Sequence, residues 1–482
     1  MAFSSQNVRN SGWSIVNILL YPIAFMGLTP VFISRMGEMQ FGVWMLVNSY
    51  VYIAVNIISF GFSNSITAHV AEALGKNDRG KLFGYLNAST RILGLITVST
   101  ALPALFFLIA YLLFPGFKFY DRALDLVLLV ATLLISVKFY ELLYQSIFKG
   151  FERFDLSGRY NILNKFLVLG LQLFLVIRGS GLLSMFVGSL IINLVVITVQ
   201  GFVVHRLVPD FRFRWRRYPV ESKELFAFGF WTWIQTIISV AAYQVDRFVV
   251  AFALGPVVAG YYILASTIAN HMHMAFGAIG SWLFPKVARQ KEVAQDTRIY
   301  FHSLRGVITG VSLLMILALS LLYKPFFTLW LGPEKFAKID SFFALFLMYE
   351  SFLILSIVPL FYLNGIKMLR LITFLELMYK SGILIGMFVA FAMVPTGESL
   401  LLGQVIALVV LMPVEYFVVN KRILHDTAWG ETVIAIIPSL CIVCTIYFNQ
   451  LPLTIGLSMI AIVTFISYYL KPSRFNLKLL LA

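Results

Sequence analysis

Residues 229–255 read GFWTWIQTIISVAAYQVDRFVVAFALG, and residues 12–37 read GWSIVNILLYPIAFMGLTPVFISRMG. Each stretch opens on glycine followed by an aromatic, runs through a mostly apolar segment, and closes on glycine. The apolar part exceeds the ~20 residues that an α-helix needs to cross the hydrocarbon core of a bilayer. Beyond the closing glycines, Gly37 is followed by Gly42-Val43-Trp44 and Gly255 by Gly260-Tyr261-Tyr262, so Gly-x4-Gly before an aromatic occurs twice. A membrane-length helix, a glycine turn and a second helix are thus written twice in one chain.

The rest of the chain agrees with that pattern. Of 482 residues, 60% are hydrophobic and 12% charged, with a mean hydropathy of +0.88. A soluble domain of this size needs far more polar surface, whereas in lipid every backbone polar group must be bonded within a helix or a closed barrel. The apolar runs lack the period-two alternation of a barrel. The composition therefore predicts an all-α polytopic membrane protein with about fourteen transmembrane helices. The expected spans are 12–35, 40–72, 83–114, 123–148, 159–178, 182–205, 226–253, 257–285, 299–323, 341–364, 371–393, 400–420, 432–449 and 453–470. Six spans separate the two glycine-bounded repeats, so the copies point the same way. This predicts two six-helix lobes related by a pseudo-two-fold axis along the membrane normal. The expected division is an N-terminal lobe (1–206), a basic linker (207–223), a C-terminal lobe (224–425), and two extra helices with a tail (426–482).

A net charge of +15 suggests nucleic acid in a soluble protein; here basic residues mark cytoplasmic loops instead. Alternate loops hold 24 Lys and Arg on one side against 7 on the other, which orients both termini into the cytoplasm. The richest loop is the linker, where Arg212-Phe-Arg-Trp-Arg-Arg217 is expected to lie on anionic lipid. All outer connections are short, leaving no room for an extracytoplasmic catalytic domain. No cleavable signal peptide is expected, because the first apolar stretch is long and lacks a cleavage site. Cys441 and Cys444 sit in an apolar helix with no His or acid nearby, so they read as small core residues. No phosphate-cradling glycine loop is present, and neither a cofactor nor a metal is called for.

Ionisable groups inside spans are costly and usually face a partner or a wet cavity. Lys138 with Glu141, and Glu376 with Lys380, are spaced to neutralise one another along a helix face. Lys165 and Glu415 are expected to reach the inner interface. Arg91, Asp246, Arg247, Arg305 and Glu350 remain, and are candidates for a cavity. Polar stripes at helical spacing add others: Asn48, Tyr52, Asn56, Ser59 and Ser63; Thr232, Gln235, Ser239, Tyr243 and Asp246; Ser266, Asn270, His273, Gly277 and Ser281. Small polar residues also bond helix to helix in membranes, so each stripe has a packing reading beside its cavity reading.

The opening Gly-Trp span, the turn Arg35-Met-Gly-Glu-Met-Gln-Phe-Gly-Val-Trp44 and the loop Lys149-Gly-Phe-Glu-Arg-Phe-Asp155 resemble bacterial polysaccharide (O-antigen type) flippases. So does the segment from Tyr243 through Gly255 and Gly260-Tyr-Tyr262 to Leu283-Phe-Pro-Lys286. These flippases belong to the multidrug/oligosaccharidyl-lipid/polysaccharide exporter superfamily. The resemblance implies two lobes around a basic cavity and alternating access. Its implied substrate is an undecaprenyl-pyrophosphate-linked oligosaccharide moved from the cytoplasmic to the outer leaflet of the inner membrane. It further implies cavity roles for Asp246 and Arg247, and by extension Arg91 and Arg305. Many members have twelve helices, whereas the lipid II flippase branch has fourteen. Implied partners are the lipid-linked substrate, membrane lipids, H+ or Na+ as a coupling ion, and other glycan assembly proteins, with no nucleic acid. Two alternatives stay open: a multidrug cation antiporter of the same superfamily, which would want acids dominating its cleft, and a membrane-embedded glycan polymerase or ligase.

Overall fold

The computed structural model describes residues 5–114, 121–280, 298–366, 368–423 and 451–469. Cys441 and Cys444, the span at 432–449, the segment 281–297 and the tail from 470 lie outside them. Every regular element among the described residues is helical. The helices are α1 (Ser5–Met36), α2 (Glu38–Ile58), α3 (Phe62–Gly75), α4 (Arg79–Leu113), α5 (Arg122–Gly150), α6 (Phe154–Ile177), α7 (Leu182–Leu207) and α8 (Pro219–Gly280). They continue as α9 (Arg298–Leu331), α10 (Pro333–Leu355), α11 (Ile357–Gly365), α12 (Leu369–Met393), α13 (Gly397–Tyr416) and α14 (Leu451–Tyr469). Among the described residues, nine helices are long and apolar enough to cross a membrane. The protein is an all-α, multi-pass membrane protein.

Glycines set the tight reversals. Gly37 (φ 80, ψ 158) separates α1 from α2, and Gly332 (φ 84, ψ 156) separates α9 from α10. Within α8, Gly255 (φ 86, ψ 168), followed by Pro256, breaks the helix into two arms. That region of backbone space is essentially closed to residues with a Cβ. The two glycines aligned by the sequence repeat, Gly37 and Gly255, thus share one conformation. Side-chain caps satisfy other helix starts: Asp78 accepts from the Lys81 N–H at 2.9 Å, and Asp121 from the Leu124 N–H at 3.1 Å.

The expected single span 40–72 is in fact two helices. The chain breaks at Ser59–Gly61, where Phe60 (φ 49) and Gly61 (φ 69) are left-handed. The span 341–364 is likewise divided, at Ser356. Both breaks place a small polar residue beside freed backbone groups, and such groups need local partners in a membrane.

The chain divides into two compact units, Met1–Gln244 and Val245–Ala482, with the boundary inside the first arm of α8. In the first unit α5 is the centre, packing on α2, α3, α4, α6 and α7. Small residues permit close approach there, as where Gly150 lies under Val70 and Gly188 under Leu171. The start of α8 belongs with this unit. Ser65 donates to the Leu225 carbonyl at 2.8 Å and Trp233 Nε1 to the Ile57 carbonyl at 2.7 Å. A Cβ on Gly61 would overlap the Gly229 carbonyl and the Thr232 hydroxyl.

In the second unit α10 is the centre, and it is buried continuously from Phe342 to Leu355. A helix apolar on all sides belongs in such a place. It packs against α9 and α13, while α12 and α13 meet backbone to backbone at Gly386 and Gly403. The helix α14 rests on α9, with the Phe465 ring over Gly310. A π-helical turn, Phe417–Ile423, extends α13 a few residues after Pro413.

Candidate functional site

In the first unit, α2 carries its polar stripe in two parts. Asn48 and Asn56 each bond back to their own helix, donating to the Trp44 and Tyr52 carbonyls at 2.8 Å. Asn48 and Tyr52 are exposed on the unit and Asn56 is half-buried. Ser59 is buried, and Ser63, on α3, meets the Ser146 hydroxyl at 2.9 Å. The upper part of the stripe is therefore open, and the lower part holds α3 to α5. The stripe on α8 divides similarly. Thr232 is spent on the Gly61 and Gly229 carbonyls, whereas Gln235 and Tyr243 are exposed.

Arg91 lies on α4, half-buried, with its guanidinium carbon 5.9 Å from the centre of the Trp215 ring. From Ile92 to Leu113 the helix carries no charge. At 1.5 Å per residue those residues span about 33 Å, close to the hydrocarbon thickness. Arg91 therefore stands where α4 enters the apolar layer rather than at mid-depth.

In the second unit, Asp246 and Arg247 tie the two arms of α8 together. Buried Tyr262 donates to Asp246 Oδ2 at 2.6 Å, and the Arg247 backbone N–H donates to Oδ1 at 2.8 Å. The Arg247 guanidinium donates to the Ser266 hydroxyl at 3.2 Å and stays half-buried. Phe342 and Phe346 pack edge-on against Tyr262. Of the adjacent pair, the acid points into the unit while the base keeps some exposure. Asn270 is exposed on the second arm. His273 Nδ1 is 3.3 Å from Glu350 Oε2, and Glu350 is only 4% exposed, within the buried run of α10.

Arg305 is deeper still, at 3% exposure among Phe301, Leu304 and Ile308. It reaches Asn420 Oδ1 at 3.4 Å in the π-helical turn and lies 5.4 Å from the Phe301 ring centre. Expected at the interface, Glu415 is instead buried, accepting from Ser356 at 2.9 Å and from Tyr379. The reason is tertiary: the break at Ser356 and the hydroxyl on α12 supply donors that hydration would otherwise supply.

The two self-neutralising pairs are present, Lys138–Glu141 at 2.6 Å and Lys380–Glu376 at 3.4 Å. The first is part of a larger network. Asn164 donates to Glu141 at 2.8 Å and to Asn193 at 3.0 Å, while Gln172 donates to Ser189 at 2.9 Å. Lys165, expected to snorkel, has its ammonium 5.3 Å from the Tyr21 ring centre. Sequence reading missed the α6–α7 part of this network. Its signal was Asn164 and Gln172, eight residues apart on one face of α6.

A helical membrane protein with these breaks and buried polar clusters has the fold of the transporters of the MOP superfamily. Its fold is similar to that of the lipid II flippase MurJ in an inward closed conformation, with a TM-score of 0.67 at 13% identity, covering 93% of this chain and 98% of that one. It is also similar to an outward-facing multidrug resistance MATE family transporter, with a TM-score of 0.57 at 16% identity, covering 87% and 95%. A third likeness is a MOP superfamily transporter from Pyrococcus furiosus, with a TM-score of 0.59 at 14% identity, covering 86% and 94%.

More specifically, the chain belongs to the polysaccharide biosynthesis protein family, which matches residues 8–291. A Shigella flexneri protein provisionally named an O-antigen transporter is 23% identical over 344 residues, 70% of this chain and 78% of that protein.

Proposed function

We propose that this protein is a flippase. It moves a lipid-linked oligosaccharide, of the undecaprenyl-pyrophosphate type, from the cytoplasmic to the outer leaflet of a bacterial inner membrane. The family and the Shigella relative support the substrate class, and the MurJ likeness supports a fold able to carry a large lipid-linked headgroup. We read it as a carrier rather than an enzyme, built of lobes 1–206 and 224–425, a cytoplasmic linker 207–223, and a C-terminal extension 426–482, with both termini inside.

The observation that carries this reading is the open polar face on α2. Asn48 and Tyr52 are exposed on a helix long and apolar enough to span the membrane. A carboxamide facing hydrocarbon is costly, so such a face borders water. Gln235, Tyr243, Arg247 and Asn270 are further groups that keep exposure. A sugar headgroup cannot cross lipid, because each unpaired hydroxyl costs several kcal/mol to desolvate; amide and hydroxyl side chains replace those bonds. Arg247, steadied by Ser266, supplies charge for a pyrophosphate in the fork geometry that suits phosphate oxygens, and Arg91 is a second candidate cation, on the first unit. Within the second unit, Asp246 accepts the Arg247 backbone N–H and so holds that arm, Glu350 faces His273, and Arg305 lies in the packed interior. Carrying negative charge out of a negative interior is favourable by about 2.3 kcal/mol per charge per 100 mV.

The test is complementation of a strain lacking its oligosaccharide flippase, read as surface glycan. Restored glycan supports the reading. Failure by a correctly inserted protein across several glycan types, together with efflux of cationic drugs, would establish the multidrug alternative.

A further inference from the structure

The linker between α7 and α8 is laid along α4 in register. The Phe211 ring packs 6.2 Å from that of Phe83, the Arg214 backbone N–H donates to Asn87 Oδ1 at 2.7 Å, and Trp215 meets Arg91. Residues 83, 87 and 91 form one face of α4. Their rise of about 12 Å matches the reach of an extended chain from Phe211 to Trp215. Asn87 is fully engaged, since its amide also donates to the Phe83 carbonyl at 2.8 Å. The strap is therefore fixed at three points, and it ends at the level where α4 enters the apolar layer.

What the strap presents outward is specific. Arg212, Arg214, Arg216 and Arg217 are all exposed, and among the described residues none of them forms an ion pair. Two of the nearby acids have other partners. Asp210 faces Arg79 at 3.5 Å, Glu224 accepts from Tyr85, and Glu221 lies over Gly84. Between the arginines, Phe213 is 44% and Trp215 60% exposed. Indole and guanidinium groups together at a membrane boundary suit the headgroup layer, where the ring is half-immersed and the cation meets phosphate.

We infer that residues 211–217, held on α4 by Phe83, Asn87 and Arg91, form a binding site for the phosphate headgroups of anionic phospholipids in the leaflet on the linker's side. Charge complementarity selects the occupant: four exposed guanidinium groups, without an ion pair among the described residues, meet a surface whose phosphodiesters carry the opposite sign. Trp215, stacked near Arg91, inserts beside the acyl boundary and fixes the strap's depth. The site does not depend on which solute the protein carries.

The test uses the full chain in phosphatidylcholine vesicles containing a minor fraction of brominated lipid, either phosphatidylglycerol or phosphatidylcholine. Bromine quenches nearby indole, and the Trp215 signal is the emission lost in Trp215→Phe. Brominated phosphatidylglycerol should quench that signal at least about twofold more than brominated phosphatidylcholine, and high salt should reduce the difference. Replacing the four arginines with glutamine should abolish the preference. Replacing them with lysine, which keeps both the charge and the orientation cue of a basic loop, should keep most of it. Equal quenching by the two lipids in the wild-type protein overturns the inference, as does a preference that survives the glutamine replacement.

Discussion

Tyr262 donates a 2.6 Å hydrogen bond to Asp246, joining two arms of one helix that reverse at Gly255 between them. Both groups are buried, so the carboxylate depends on this donor and on the Arg247 N–H. Tyr262→Phe leaves a buried acceptor short of a partner, which costs about 1–3 kcal/mol. Gly255→Ala forces a Cβ into a backbone region that costs a similar amount, about 1–3 kcal/mol. Both variants should lower the unfolding temperature of the detergent-solubilised protein. The matching substitution Gly37→Ala, at the same φ and ψ, should do likewise.

Arg247 and Arg305 should behave differently when truncated. Arg305 is buried and reaches Asn420 Oδ1 at 3.4 Å. Arg305→Ala hollows that packing and leaves a buried acceptor short of its donor, at about 1–3 kcal/mol for the lost bond alone, so folded yield should fall. Arg247 is half-buried, and its guanidinium donates to the Ser266 hydroxyl. Arg247→Ala should leave folded yield near wild type and reduce glycan export. Equal loss of yield in both would show that Arg247 serves only the fold.

Exposed Asn48 and half-buried Asn56 on α2 offer a cleaner separation. Asn48→Leu with Asn56→Leu removes two groups that bond only to their own helix. Leucine inserts into a membrane more favourably than asparagine, so the amount of inserted protein should hold or rise. Export should fall by about tenfold, the equivalent of losing one or two substrate hydrogen bonds at ~1 kcal/mol each. Surface-glycan staining alongside a membrane-fraction blot reads both quantities.

Close backbone packing makes a fourth case. A side chain at Gly403 would run into the Gly386 carbonyl and Ala390 on α12, whereas Gly170 has nothing within 4 Å. Gly403→Leu should abolish a monodisperse peak on size-exclusion chromatography, and Gly170→Leu should preserve it.

Much of this was legible in the sequence because hydrocarbon imposes length and glycine imposes turns. The expected starts of α4, α5, α7 and α12 lie within a few residues of the observed ones, and the Gly37–Gly255 correspondence follows from motif spacing alone. The break at Ser59–Gly61 was not legible. Phe60 is left-handed without being glycine, and it is held by contacts with α8, 5.0 Å from Trp233 ring centre to ring centre. Burial of Arg305 and Glu415 was equally hidden. Their partners Ser356, Tyr379 and Asn420 come from other helices, and no spacing along one helix foretells them. Sequence periodicity names a polar face; only tertiary packing decides whether that face stays exposed, as at Asn48, or meets another helix, as at Ser63.

The seat of α14 on α9 bears on how such chains change length. Gly310 is a notch filled by the Phe465 ring, and a Cβ there would already lie 2.7 Å from it. A shorter relative ending after twelve crossings has no such ring to offer. Its residue aligned with Gly310 should then be bulky, or a lipid tail must occupy the vacancy, since an unfilled hollow is penalised in proportion to its volume.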